Sequence, residues 1–246
     1  MIKNRNIAAD ANIDLSKLSL VDGRRTFWED FDDYDGSGTD ADNIYGLGKA
    51  GTGTAATNQS SFLLLEVQTE GNVEQVFMES TWTGSAEPRL EVRFKTGPSL
   101  ANTSFQIGWA ENVAITGGAN DCIGNKDWAY LELSTGNGAA VSNGADTSGK
   151  FVLRSRTAGD SASGTVTNTN VADVAVDTTY SVSVQILSGG GVLAKVGKDV
   201  LKTASAVVPT GNTDWRPFLR IRKDADSGSG DRVLLIDTMK VSEDRV

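Results

Sequence analysis

Among its 246 residues the chain has no histidine and one cysteine, Cys122. The first absence removes the Ser–His–Asp triad, histidine metal ligands and the usual general base near neutral pH. The second excludes an internal disulfide and a zinc site built from cysteines alone. No run approaches the roughly 18 apolar residues of a membrane-spanning helix, so no membrane partner is expected. No apolar stretch follows Met1-Ile2-Lys3-Asn4-Arg5-Asn6, so no secretory signal is expected either. Positive charge is in deficit, with 23 Lys and Arg against 32 Asp and Glu, a net charge of −9. Such a surface repels phosphates, and nucleic acid is not expected among the partners. Together these absences point to a non-catalytic domain.

What is abundant is glycine, 27 residues against only 4 prolines, with aromatics at 7%. Each glycine inside a helix would cost about 0.8–1 kcal/mol relative to alanine, so this composition suits short strands and tight turns. A period of two recurs along the chain. Leu90, Val92 and Phe94 alternate with Arg89, Glu91, Arg93 and Lys95, and Phe105, Ile107 and Trp109 with Ser104, Gln106 and Gly108. Tyr180, Val182, Val184 and Ile186 alternate with Ser181, Ser183 and Gln185, and Pro217, Leu219 and Ile221 with Phe218, Arg220 and Arg222. Further strands are expected at 26–31, 61–68, 128–134, 151–156, 164–170 and 192–196. The nearly continuous apolar run 232–241 reads as a strand buried on both faces. The segment 32–57, poor in large apolar residues, reads as one long connection. About a dozen strands without an intervening helix predict an all-β antiparallel two-sheet sandwich, a jelly roll.

Four patterns bear on chemistry. Asp33, Asp35 and Asp40, and again Asp224, Asp226 and Asp231, share a D-x-D-x₄-D spacing with glycines inside. Calcium favours several oxygens from a tightly turned loop, yet Ile44 and Leu235 stand where an EF-hand places its bidentate glutamate. Calcium sites and solvated turns are both open readings, and no other cofactor is expected. Glycoside hydrolysis needs two carboxylates across a cleft; Glu29–Asp33 lacks the expected pattern and Glu132 stands alone between leucines, which leaves open only carboxylates converging from different strands. A P-loop is excluded by the spacing of Gly191 from Gly197-Lys198 and by Asp199.

The third pattern is the row Trp128, Tyr130 and Glu132, which shares one face of its strand. On an exposed face it would stack on sugar rings and bond their hydroxyls, so these residues are candidate glycan ligands. In the alternative the aromatic pair fills the core and Leu131 and Leu133 face another layer. The fourth is the arginine pairs Arg89/Arg93, Arg154/Arg156 and Arg220/Arg222, each on one face of a strand. They suit either a solvated face with cross-strand acids or an interface with an acidic neighbour.

The stretch RLEVRFKTGPSLANTSFQIGWAE (89–111), with 128–133, 177–186 and 233–241, resembles the strand pairs of concanavalin A-like, laminin-G-like sandwiches. That resemblance implies the fold but not the function, since lectins, hydrolases and structural modules share it. NRNIAADANIDLSKL (4–18) is similar to segments preceding β-rich domains in virion proteins of tailed phages. It implies a bacteriophage structural protein made in the host cytoplasm, without enzymatic activity. The first expectation is a capsid decoration (cement) protein on the capsid surface, a homotrimer bound to the major capsid protein. In it, residues 1–20 form an assembly arm bearing Ile2, Lys3, Arg5, Ile7, Ile13, Leu15 and Leu18, and 21–246 form the sandwich. The alternative is a tail fibre or spike module binding host-surface glycans.

Overall fold

A computed structural model describes residues 24–29, 47–51, 54–58, 62–69, 71–78, 81–111, 127–135, 149–156, 165–203, 208, 214–223 and 230–244. The arm and most of the two acidic loops lie outside them. In chain order the strands are β1 (Arg24–Glu29), β2 (Leu47–Gly51), β3 (Thr54–Asn58), β4 (Leu63–Val67), β5 (Val73–Met78) and β6 (Trp82–Thr83). After a 3-10 turn at Gly84–Ala86 follow β7 (Arg89–Thr96), β8 (Thr103–Glu111), β9 (Trp128–Ser134), β10 (Lys150–Arg156) and β11 (Thr165–Asp173). The remainder are β12 (Thr179–Ile186), β13 (Val192–Val196), β14 (Asp199–Lys202), β15 (Asp214–Lys223) and β16 (Arg232–Asp244). No helix of the described residues is long and apolar enough to cross a membrane.

Two 8-stranded antiparallel sheets result. Sheet I runs β14-β13-β12-β7-β16-β4-β3, with β1 beside β16; sheet II runs β11-β10-β9-β8-β15-β5-β2, with β6 beside β15. One alternating set of side chains from each sheet fills the space between them. From sheet I come Leu63, Leu65, Leu90, Val92, Phe94, Val184, Leu234 and Ile236; from sheet II come Phe105, Ile107, Trp109, Leu131, Leu153, Leu219 and Ile221. The layers are also tied by a polar contact, since Trp109 Nε1 on β8 donates to the Val184 carbonyl on β12 at 2.9 Å. The aromatic rings of Phe94 and Phe151 meet edge to face across the same interior at 6.5 Å.

Two expectations fail for identifiable reasons. The long connection expected over 32–57 holds β2 and the start of β3, the outermost strands of their sheets. An edge strand needs ladder hydrogen bonds more than large apolar side chains, so LGKAG and TAATN pair without a hydrophobic signature. The run 232–241 is buried on one face only: Leu234, Ile236, Met239 and Val241 are buried while Val233, Leu235 and Lys240 are half-exposed. Its apolar continuity reflects three partner strands, β4, β7 and β1, rather than a second packed layer.

Candidate functional site: the far face of sheet II

Sheet II turns its other face away from the core, and the strand registers lay that face out in rows. One row reads Gln75, Arg220, Gln106, Glu132 and Val152 from β5 to β10. The next reads Phe77, Phe218, Gly108, Tyr130 and Arg154, and a third reads Arg216, Ala110, Trp128 and Arg156. On the other side of the first row, Arg222 stands opposite Ser104.

Gly108 shapes the centre. A Cβ there would lie 2.2 Å from the Ala129 carbonyl oxygen and 2.5 Å from Tyr130 Cα, so only glycine fits. With no side chain on Gly108, Tyr130 and Phe218 lean together from strands on either side and meet edge to face at 6.1 Å. Trp128 stacks on Tyr130 at 4.5 Å and 27° because residues two apart on a strand share a face. With Ala110 and Phe218, and with half-buried Phe77 packed against them, these rings form a second apolar cluster separate from the main core.

Charge surrounds the cluster. Arg154 pairs with Glu132 at 2.8 Å, both side chains about 2% exposed, and Gln106 Nε2 donates to the other Glu132 oxygen at 3.3 Å. Arg156, Arg220 and Arg222 are buried on the same face, and Arg216 is half-buried at its side.

The row Trp128, Tyr130 and Glu132 therefore shares one face, with Leu131 and Leu133 in the core. The pair is not exposed, however: Trp128 is 4% and Tyr130 3% accessible. The arginine pairs divide. Arg89 and Arg93 lie on the outer face of sheet I in solvated ion pairs with Glu91 and Asp237 at 2.6 and 2.9 Å. Arg154, Arg156, Arg220 and Arg222, on the far face of sheet II, are buried rather than solvated.

The arm residues Ile2, Lys3, Arg5, Ile7, Ile13, Leu15 and Leu18 lie outside the described residues, as do Asp33, Asp35, Asp40, Asp224 and Asp226. Asp231 is described and exposed, and it hydrogen-bonds the Glu66 carboxyl. Burial and this neighbouring acid push the Glu66 pKa up. No group of three or more metal-ligating side chains gathers among the described residues. Sequence reasoning missed Gln75, Gln106 and Arg216 as members of the face. The alternation around Gln106 and Arg220 carried a signal, but only the register sets the two side by side.

Comparison with solved structures decides the architecture. A β-glucanase from Bacillus licheniformis superposes with a TM-score of 0.59 at 13% identity, covering 88% of this chain and 97% of that one. The sandwich is a concanavalin A-like jelly roll. The exoplasmic domain of VIP36 in its calcium- and mannose-bound form gives 0.56 at 14% identity, over 79% of this chain and 82% of that one. Peanut lectin gives 0.55 at 13% identity, over 89% and 97%. No protein-family model and no curated protein sequence matches the chain. At these identities the jelly-roll fold is what the chain shares with the lectins and the glucanase.

Proposed function

We propose that the chain is a non-enzymatic carbohydrate-binding module of a phage fibre or spike, taking a glycan on the far face of sheet II. The observation that carries this reading is the Trp128–Tyr130 stack set beside Glu132, Gln106 and arginines on one sheet of a lectin-like sandwich; Trp128 and Tyr130 are 4% and 3% accessible, so a sugar reaches them only when that face is uncovered. Aromatic rings match the apolar C–H faces of sugars, and a few placed polar groups bond the hydroxyls and set orientation. Double-carboxylate hydrolysis requires a second acid about 5–10 Å from the first, and the described part of this face carries Glu132 alone. The virion setting draws its support from the resemblance of residues 4–18.

Titrating the full chain with a panel of neutral and acidic oligosaccharides, followed by calorimetry and tryptophan fluorescence, tests the reading. Binding is expected to shift the fluorescence, and Trp128→Ala to weaken affinity at least tenfold, with Tyr130→Phe retaining most of it. Absence of affinity for every glycan at millimolar concentration overturns it. The face supplies its ligands from side chains, so chelating divalent cations is expected to leave the affinity unchanged. A loss on chelation would instead implicate calcium at the 224–231 loop.

The burial of Trp128 and Tyr130 favours a second reading, in which the face belongs to the molecule's own packing and the sandwich is structural. This is the capsid decoration protein, trimeric on the major capsid protein and anchored by residues 1–20. Quantitative mass spectrometry of purified virions separates the two. A copy number comparable to the major capsid protein supports decoration, and a handful of trimers supports a fibre or spike.

A further inference from the structure

Four of the five tryptophans are 4% exposed or less, and the fifth, Trp28, is 54% exposed. It stands on β1, where Phe27 packs against the core and the pleat turns Trp28 to the outer face of sheet I. Among the described residues β1 pairs with β16 alone, so the indole stands at the border of the sheet. The registers run a row inward from it: Trp28, Lys240, Glu91 and Ser183 on β1, β16, β7 and β12. Thr26, Ser242 and Arg89 form the adjacent row. Glu91 is held between two cations, pairing with Arg89 at 2.6 Å through one oxygen and with Lys240 at 3.3 Å through the other. All three side chains are about a third exposed, unlike the buried arginines of sheet II.

We propose that Trp28 and the Arg89–Glu91–Lys240 group form a saccharide site on the outer face of sheet I, for a neutral sugar whose ring lies on the indole and whose hydroxyls bond the charged group. The class of ligand rests on the glycan-binding reading above, and the site is a second one, open in the folded chain. An indole offers a flat apolar face to the C–H side of a pyranose, and a few polar neighbours orient it. Sugar hydroxyls both donate and accept. Glu91 accepts, Arg89 and Lys240 donate, and each keeps lone pairs or N–H groups beyond those used in the ion pairs. The Trp28 and Glu91 backbones are two strand spacings apart, about 10 Å, which two or three sugar rings span. The charges favour a neutral ligand, because an anionic group drawn to either cation would also approach Glu91. A polypeptide fits less well. A stable protein interface covers about 800 Å² per partner around an apolar centre. Around Trp28 the rows hold hydroxyls and charges, and Val200, the exposed apolar side chain at the other end of the row, is five strands away on β14.

The test is calorimetric titration of the full chain with cellopentaose, mannopentaose, chitopentaose and oligogalacturonate, with acrylamide quenching of tryptophan fluorescence as the site-specific readout. At least one neutral sugar is expected to bind, more tightly than oligogalacturonate, and to reduce quenching, since Trp28 is the tryptophan the quencher reaches. Trp28→Ala is expected to weaken that affinity tenfold or more and to abolish the protection, and Glu91→Ala to weaken it about tenfold. Both residues face solvent, so both variants are expected to keep the wild-type Tm. Val200→Ala is expected to change neither affinity nor quenching. Neutral-sugar binding that Trp28→Ala leaves unchanged would overturn this site while leaving the glycan reading intact. Tighter binding of oligogalacturonate would overturn the neutral specificity. Self-association of the sugar-free chain that Trp28→Ala abolishes, seen by sedimentation velocity, would overturn the site in favour of a protein interface, and no binding by any saccharide would remove both readings.

Discussion

Gly108 and Glu132 are the residues on which the far face of sheet II depends most directly. A methyl group at 108 would meet backbone atoms of the next strand, which cannot swing aside as a flexible side chain would. Gly108→Ala is therefore expected to destabilise by about 3 kcal/mol or more, beyond ordinary overpacking, as read by urea unfolding. A loss under about 1 kcal/mol would show that the β8–β9 spacing yields. Glu132→Ala leaves Arg154 charged in a buried setting, a class of change that costs about 3–5 kcal/mol. Replacing both by apolar residues of similar size is expected to recover most of that loss, and a double variant as unstable as the single one would contradict the pairing. Two further acids act in opposite directions with pH. The Glu66 pKa is raised by burial and by Asp231, so its contribution is fully present below the ordinary value of 4.5 and is lost as pH rises through the raised value. Glu66→Gln is thus expected to raise Tm at pH 7 and to leave it nearly unchanged at pH 4.

At the scale of elements, the loop before β7 is clasped to the turn after β12. The Glu87 carboxylate accepts from the Ser188 backbone N–H at 2.9 Å, and bonds from the Ser188 side chain and backbone hold its pKa below the usual value. Its contribution is present above pH 4.5 and is lost as pH falls through the depressed value. Glu87→Gln is expected to reduce the fall in Tm between pH 5 and 3, and an unchanged acid limb in a pH series of melts would refute the clasp. The clasp joins residues 101 positions apart, and no local pattern announces it. The strands themselves were legible where one face is buried. Residues 128–134 and 192–196 have the bounds expected from alternation, since a period of two follows directly from the pleat. Strands β2, β3, β5, β6 and β14 were not among those expected: β2, β3 and β14 lie at sheet edges, held by backbone pairing more than by apolar side chains, while β5 (VEQVFM) is interior but lacks a clean alternation. The Trp128–Tyr130–Glu132 row was legible as a row. Its neighbours Gln106, Arg154 and Arg220 were not, since they come from separate strands.

For the whole molecule, eight of the fourteen strand pairings among the described residues join strands that are not consecutive in the chain, as with β1 on β16 and β4 on β16. Non-local topology of this kind places refolding in the range of milliseconds to seconds or slower, which stopped-flow fluorescence of the five tryptophans would measure. The first strand among the described residues starts at Arg24, and removing residues 1–20 is expected to leave Tm and glycan affinity unchanged. A fall of more than about 4 °C, near 1 kcal/mol for a domain of this size, would show that the arm belongs to the sandwich. The sequence by itself determined the class of fold, because alternation, glycine-rich turns and the lack of helical periodicity are local consequences of backbone geometry. It also excluded histidine chemistry and disulfides, which are matters of composition. The tertiary structure alone decided which face each alternating set presents. Arg93 and Arg154 sit in similar patterns, yet one is solvated and the other buried, because burial is a property of the sheet a strand joins and of what packs on it. It also brought the arginines of β10 and β15 to the two sides of one aromatic stack, since strand order is fixed by long-range pairing rather than by neighbours in the chain.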